Sequence, residues 1–288
     1  MSGQLKSRCP VCESDSWQFL YRRLGWDFVR CQTCGLARLD PMPSEKQLAD
    51  HYEKRSNSGN YEPEKADERI PSLNQVLDFA ERCGAGRGRL LDIGCFDGSL
   101  LDEPATRGWQ VWGLELQGEA AQEAERRHPG RIFQGTLEGF SGVEPESLQL
   151  ITAVGLVEHL RDPRRLFSLA RRSLRAGGLL VIQTPNRRSW PSRLLGRFWP
   201  PVAPPEHTHY FDRRTLNSIS ARYGLSPVRA KPHVRRLRLA YTYDQLQYFG
   251  PEFHRLLGPV MRRLPDQVKD LELPFYGGEL LYAAMRRE

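Results

Sequence analysis

Residues 90–101 read LLDIGCFDGSLL, and this stretch limits the fold more than any other. An apolar run ends at Ile93, glycines punctuate a turn at Gly94 and Gly98, and a helical pattern follows. A buried strand that feeds a helix through a tight turn is the first half of a crossover unit. From Arg89 onward the pattern repeats. SLLDEPATRG reads as helix, WQVWGLEL as strand and EAAQEAERRH as helix; RIFQG and SLQLITAVG read as strands, PRRLFSLARRSL as helix and GGLLVIQTP as strand. This alternation predicts parallel strands joined by helices in an open α/β sheet, with LSPVRA and GELLYAAMRR at its far edge.

Ligands of such sheets bind at the carboxyl ends of the strands. A dinucleotide site would carry G-x-G-x-x-G after the first strand. Gly94, Phe96 and Ser99 stand at those three places, so the pattern argues against nicotinamide or flavin dinucleotides. The stretch instead resembles motif I, D-x-G-x-G-x-G, of class I S-adenosylmethionine-dependent methyltransferases. Asp92, Gly94 and Gly98 match, and Phe96 departs from the pattern. VGLVEHLRDP (154–163) and LLVIQTPN (179–186) are similar to segments of ubiquinone-biosynthesis-like and related small-molecule methyltransferases.

The resemblance covers about residues 72–288. It implies a Rossmann-like, mostly parallel seven-stranded sheet and S-adenosylmethionine as cofactor. The implied cofactor-binding residues are Asp92, Gly94, Cys95, Phe96 and Gly98 at the turn, and Glu115 and Leu116 at the end of the second strand. Thr136 and Leu137 would lie on the adenine, and Val154 and Gly155 on the floor beside the methyl donor. Glu158 and His159 are expected to open the next helix, with Glu158 at its N-terminus. Some relatives bind a divalent metal here; Gly155 stands where they carry an additional glutamate, which argues against a catalytic metal.

Methyl transfer needs an aligned nucleophile and, for a hydroxyl, a base. The segment RFWPPVAPPEHTHYFDRRTL (197–216) follows the fifth strand, where acceptors enter. It supplies Glu206, His207 and His209, and a histidine beside a carboxylate is a base suited to neutral pH. The segment resembles P-E-H-x-x-x-F stretches of methyltransferases from polysaccharide and glycan clusters. His207 is the preferred base, and strand alternation would place His209 on the same face. The competing reading is that both histidines only hydrogen-bond a lid.

Four of the six cysteines lie in the first 34 residues, as CPVC (Cys9, Cys12) and CQTC (Cys31, Cys34). Between the pairs, WQFLYRRLGWDFVR predicts a hairpin turning at Leu24-Gly25. Two C-x-x-C knuckles at this spacing match a zinc ribbon, with a structural metal held by four thiolates. The alternative is a pair of disulfides. The domains expected are therefore a zinc ribbon over 1–40, a linker over 41–71 and the methyltransferase domain over 72–288. Within the linker a helix is expected over Glu45–Tyr52, capped by Ser44 and Gln47, and a loop over Arg55–Asn60.

The formal net charge is +7, and ten arginines against one acid lie between 161 and 197. Arg187, Arg188, Arg193 and Arg197 suit an anionic acceptor, such as a nucleotide sugar or lipid-linked glycan. FHRLLGPVMRRLP (253–265) suits peripheral membrane contact or ordinary helix packing. No run reaches the ~20 apolar residues of a membrane span and no signal region opens the chain, so the expected location is cytoplasmic. The favoured function is methyl transfer to oxygen or carbon of a small molecule or glycan. Two rivals remain: an RNA methyltransferase with a zinc module, which the basic charge favours, and a zinc-ribbon adaptor whose methyltransferase domain has decayed. Against the first, the hairpin has no dense basic stripe with stacking aromatics.

Overall fold

This computed structural model describes residues 8–57, 66–249 and 251–287. The larger sheet takes its parallel core from β4 (Arg89–Ile93), β5 (Gln110–Glu115), β6 (Ile132–Gln134), β7 (Leu148–Val154) and β8 (Leu174–Pro185). Two long strands, β10 (Leu225–Arg238) and β11 (Glu272–Arg286), extend it in the order β10-β11-β8-β7-β4-β5-β6. The pairings of β11 with β8 and with β10 are antiparallel, so one strand of the seven runs against the rest. The α/β class and the seven-stranded, mostly parallel sheet agree with the sequence expectation, down to the two late strands on one edge.

Helices α2 (Ala66–Arg82), α3 (Ser99–Thr106), α4 (Gly118–Arg127), α5 (Arg164–Ser173) and α7 (Arg213–Arg222) cover the sheet. α5 shows why. Its Leu166, Phe167, Leu169 and Ala170 are buried while its arginines face outward, the spacing of a one-sided apolar stripe. Val76, Leu77, Phe79 and Ala80 of α2 pack with Leu90, Val181 and Leu281 of the sheet in a second cluster.

The N-terminal segment forms its own sheet. β1 (Trp17–Arg23) and β2 (Trp26–Cys31) make a two-residue hairpin. Its turn is Leu24-Gly25 as expected, with both residues at positive φ, as a type I′ turn requires. β3 (Ala37–Asp40) follows, and β9 (His209–Tyr210) completes the order β1-β2-β3-β9. One strand of this sheet thus comes from far along the chain. Trp17, Val29, Cys31 and Leu36 are buried in one cluster with Leu166, Phe167 and Phe211. The boundary expected at residue 40 does not separate two hydrophobic cores.

Among its described residues the expected linker is largely helical. α1 spans Glu45–Asn57, so Arg55, Ser56 and Asn57, expected in a loop, are helical, and residues 58–60 of that stretch lie outside the described residues. The reciprocal cap is present: Gln47 N donates to Ser44 Oγ at 3.2 Å, and Ser44 N donates to Gln47 Oε1 at 2.9 Å. Beyond β8 the chain forms α6 (Trp190–Leu195) and a single 3-10 turn, Gly196–Phe198. α8 (Leu239–Phe249), α9 (Pro251–Arg263) and α10 (Asp266–Lys269) form a helical insertion between β10 and β11. Among the described residues no helix is long and apolar enough to cross a membrane.

The shared core has a measurable consequence. Phe211 is fully buried where the two sheets meet. Phe211→Ala is expected to cost about 3–5 kcal/mol in urea unfolding. Tryptophan fluorescence and far-ultraviolet circular dichroism should follow one transition; two resolved transitions would mean that the cysteine module folds alone.

Candidate active site

The turn after β4 is built by close approach. Gly98 has φ +76°, and a Cβ there would lie 3.2 Å from Ala124 Cα of α4. His128 Nε2 lies 3.1 Å from Gly98 O and 3.0 Å from Asp102 Oδ1, tying the turn to α3 and to the end of α4. Cys95 is buried over Gly113, where a Cβ would meet its Sγ at 2.5 Å. Burial and the neighbouring Asp92 push the Cys95 thiol up, so it packs and does not act as a nucleophile.

Phe96 occupies the left-handed region at φ +52°. The departure from the glycine pattern therefore leaves the backbone in a glycine-like conformation. Its N–H donates to Glu115 Oε2 at 2.9 Å, and Gln117 N–H donates to Glu115 Oε1 at 2.8 Å. Glu115 is buried at the end of β5, directly beside the turn. Asp92 is buried one strand over and accepts from Thr152 Oγ1 at 2.6 Å. Burial, assisted by the charge of Glu115, lifts the Asp92 carboxyl to about 7. Gly135 N donates to Glu115 O at 2.9 Å, which brings the stretch containing exposed Thr136 and half-buried Leu137 to the same edge. Leu116 is 63% exposed. Val154 ends β7, and Gly155 follows it exposed at φ +58°. The implied donor residues from Asp92 to Gly155 thus line the carboxyl ends of β4, β5, β6 and β7.

A second group of side chains gathers beyond β7 and β8. Glu158 and His159 do not open a helix; they lie in a turn, and α5 begins only at Arg164. Nor does Glu158 serve a helix N-terminus. It is buried, accepts from Thr184 Oγ1 at 2.9 Å, and desolvation lifts its carboxyl to about 8. The His159 and His207 rings meet edge to face with centroids 4.6 Å apart. Glu206 Oε1 lies 3.9 Å from His159 Nδ1, and Glu206 Oε2 lies 3.6 Å from His51 Nε2 of α1. The expected linker therefore lies against the site. Ligand atoms of Glu158, His159 and His207 fall within 4.8 Å of one another, a set able to hold a divalent cation.

The two candidate bases are separated. His207 Nδ1 lies 2.7 Å from Pro201 O, which can only accept, so in the neutral ring Nδ1 carries the proton and Nε2 the lone pair. His209 is fully enclosed on β9, with Nδ1 3.0 Å from both Leu160 O and Thr208 Oγ1. Burial and the charge of Arg38 hold it down to about 3. The two histidines do not share a face, because His207 precedes the strand and lies in the loop. Sequence reasoning missed His51, Thr184 and the His159–His207 contact. The last joins segments some fifty residues apart, and no local pattern signals it.

The four N-terminal cysteines converge. Cys9 Sγ is 3.5 Å from Cys34 Sγ, Cys12 Sγ is 3.5 Å from Cys31 Sγ, and all four fall within 4.8 Å. Sulfurs tetrahedrally disposed about 2.3 Å from one zinc lie about 3.8 Å apart, so the set fits that ion. All six cysteines are free thiols. The Cys34 thiol hydrogen-bonded to Cys9 holds Cys9 down to about 5, while burial raises Cys12 to about 11. Arg187 Nη1 donates to Gly35 O at 2.8 Å, so this arginine braces the second knuckle.

Comparison with known proteins agrees with this geometry. A family model described as a methyltransferase domain matches residues 65–230, more than half of the chain. The ubiquinone biosynthesis O-methyltransferase of Klebsiella pneumoniae subsp. pneumoniae is 30% identical over 140 residues, 46% of this chain and 57% of that protein. Its namesake in Vibrio cholerae serotype O1 is 31% identical over 121 residues, 40% and 48% of the two chains. The chain spans about half the length of these curated relatives. A SAM-dependent methyltransferase of Thermotoga maritima superposes with TM-score 0.52 at 17% identity, over 84% of this chain and 98% of the other. Haemonchus contortus phosphoethanolamine N-methyltransferase 2, solved with phosphomonomethylethanolamine and S-adenosylhomocysteine, gives TM-score 0.54 at 17% identity, over 88% and 62%. These two likenesses concern the fold.

The carboxyl of Asp92 gives a test of the site's electrostatics. A group whose proton is held more tightly in the folded than in the unfolded chain stabilises the fold at low pH. That contribution is complete below about 3.8 and is lost as pH rises through about 7. Asp92→Asn keeps an acceptor for Thr152 and cannot ionise. Urea midpoints should shift in the variant's favour between pH 4 and pH 7, relative to wild type, and the difference should level off above that.

Proposed function

Because the chain belongs to the family of methyltransferase domains, we propose that it transfers a methyl group from S-adenosylmethionine to oxygen or carbon of a small-molecule or glycan-type acceptor. The observation that carries this reading is the state of His207. Its Nδ1 faces the Pro201 carbonyl, so the neutral ring carries its lone pair on Nε2, and the ring packs edge to face on His159, which lies 3.9 Å from Glu206.

S-adenosylmethionine supplies the methyl group as an electrophile on a sulfonium. The rest falls to the side chains. Glu115, oriented by two backbone donors, would accept from the ribose hydroxyls. Charge-assisted bonds of this kind contribute roughly 1.5–3 kcal/mol each. His207 Nε2 would take the acceptor's proton, and Glu206, across His159, would favour the resulting imidazolium. Burial pushes the Glu158 carboxyl up to about 8, toward its neutral form beside them. His209 is withdrawn from this role by its burial and its hydrogen bonds. Arg188, Arg193 and Arg197 are exposed beyond β8 and suit an anionic acceptor such as a nucleotide sugar, whereas Arg187 is engaged by Gly35. The four cysteines would hold a structural zinc with no open position for water.

Two measurements test this reading. Calorimetric titration with S-adenosylmethionine should give micromolar-range binding to the wild type. Glu115→Ala should lose at least about tenfold in affinity, the equivalent of one such bond. No binding to the zinc-loaded wild type would favour the decayed adaptor. In an acceptor screen that starts with nucleotide sugars, His207→Ala should lower turnover by about 10²–10⁴ with donor affinity unchanged. Unaltered turnover would remove His207 from the mechanism.

A further inference from the structure

Methyl transfer must take place between the donor turn and the side chains gathered around His207, and Gly155 stands between the two. On the donor side Leu156 packs on the turn, where a Cβ on Gly94 would lie 3.1 Å from Leu156 Cδ1. On the other side Glu158 belongs to the group with His159 and His207. Gly155 is exposed at φ +58°, and its N–H donates to Gln183 O at 3.0 Å. Having no side chain, Gly155 leaves this place to be lined by its neighbours. A Cβ there would lie 3.8 Å from Gln183 Oε1 and 4.0 Å from Glu158 Oε1.

The sheet decides which atom of the Gln183 amide faces that way. Gln183 stands on β8 opposite Leu281 of β11, and Glu279, two residues before Leu281, lies on the same face. The Gln183 side chain is buried and hydrogen-bonds Glu279. Two further groups reach Glu279 from β10. His233 Nδ1 lies 3.3 Å from its Oε2, and Arg235 Nη2 lies 3.4 Å from its Oε1. Burial opposes ionisation of Glu279, but the His233 bond and the Arg235 charge outweigh it and hold the carboxyl below the usual range. A carboxylate only accepts hydrogen bonds. Gln183 therefore gives Glu279 its Nε2–H, and its Oε1 is left for the Gly155 side, where it lies.

We propose that Gln183 Oε1 faces the sulfonium of the bound donor, and that Glu279 is the positioning residue that aims it. The inference rests on the reading that S-adenosylmethionine is the donor. An amide oxygen is the negative end of a dipole. Fixed in advance and shielded from water, it favours the cationic S-adenosylmethionine. It does little for S-adenosylhomocysteine, which has lost both the methyl group and the charge. Unlike a carboxylate, the amide does not compete with His207 for the acceptor's proton. Neither β8 nor β11 was expected to contribute to the donor site.

Calorimetric titration of the zinc-loaded full chain with each of these two ligands tests the proposal without an acceptor. One variant is Gln183→Leu, which keeps the bulk and removes the oxygen. The other is Glu279→Gln, whose amide can donate and so lets the Gln183 oxygen turn away from Gly155. Each should weaken S-adenosylmethionine binding about three- to tenfold, the contribution of one hydrogen bond, and change S-adenosylhomocysteine binding by less than about twofold. Retained S-adenosylhomocysteine binding also shows that the variants fold. Unchanged affinity for both ligands would overturn the proposal. So would an equal loss for both, which is the mark of a merely structural role. A wild type that binds neither ligand would overturn it as well, by removing the donor reading on which it rests.

Discussion

The pairing of β3 with β9 is the contact on which the rest of the site depends. Leu39 N donates to Thr208 O at 3.0 Å, and Ala37 and Arg38 stand opposite Tyr210 and His209. On its other side the same short segment is held by the turn after β7. Thr208 N and His209 N donate to Glu158 O at 2.8 and 3.1 Å, and Thr208 Oγ1 donates to Leu160 O at 3.0 Å. Backbone groups buried this deeply must be paired, so the segment has one place to lie. The position of His207 follows from it. The cysteine module is accordingly a wall of the site, and whatever orders its knuckles also orders the His207 loop.

The charges around the site fall into two classes. Asp92 and Glu158 are buried, and desolvation raises both carboxyls, to about 7 and about 8. Glu279 is half-buried, and the His233 and Arg235 side chains beside it hold it below the usual carboxylate range. A carboxyl with a cationic neighbour is pulled toward ionisation; Asp92 and Glu158, which accept from the Thr152 and Thr184 hydroxyls, are pushed the other way by burial. A cationic donor arriving near Asp92 would tip that balance toward the carboxylate.

Much of this was legible in the sequence, because it depends on local pattern. The βα alternation, the Leu24-Gly25 turn and the Ser44–Gln47 cap each rest on a few adjacent residues. Asp92, Gly94 and Glu115 converge because parallel strands carry their ends to one edge. What could not be read depends on distance. β9 is two residues long and joins a sheet made by residues 17–40, and two residues have no detectable period. The alternation argument for His207 and His209 failed because the strand begins only at His209. The helix expected at Glu158 starts six residues later, since Glu158 turns inward to Thr184 instead of facing solvent at a helix end.

Phe96 shows how local conformation and long-range charge are joined. A left-handed φ costs a non-glycine residue roughly 1–2 kcal/mol. A hydrogen bond to a charged group contributes roughly 1.5–3 kcal/mol, and Phe96 N–H makes one with the Glu115 carboxylate. The second term is sufficient to offset the first, so the turn keeps the shape that a glycine would give it. The same bond orients Glu115. With Phe96 N on one oxygen and Gln117 N on the other, each oxygen retains a further lone pair. A ribose offers two adjacent hydroxyl donors, which that pair of acceptors suits. The residue that breaks the glycine pattern is therefore held in place by the residue that would bind the ligand.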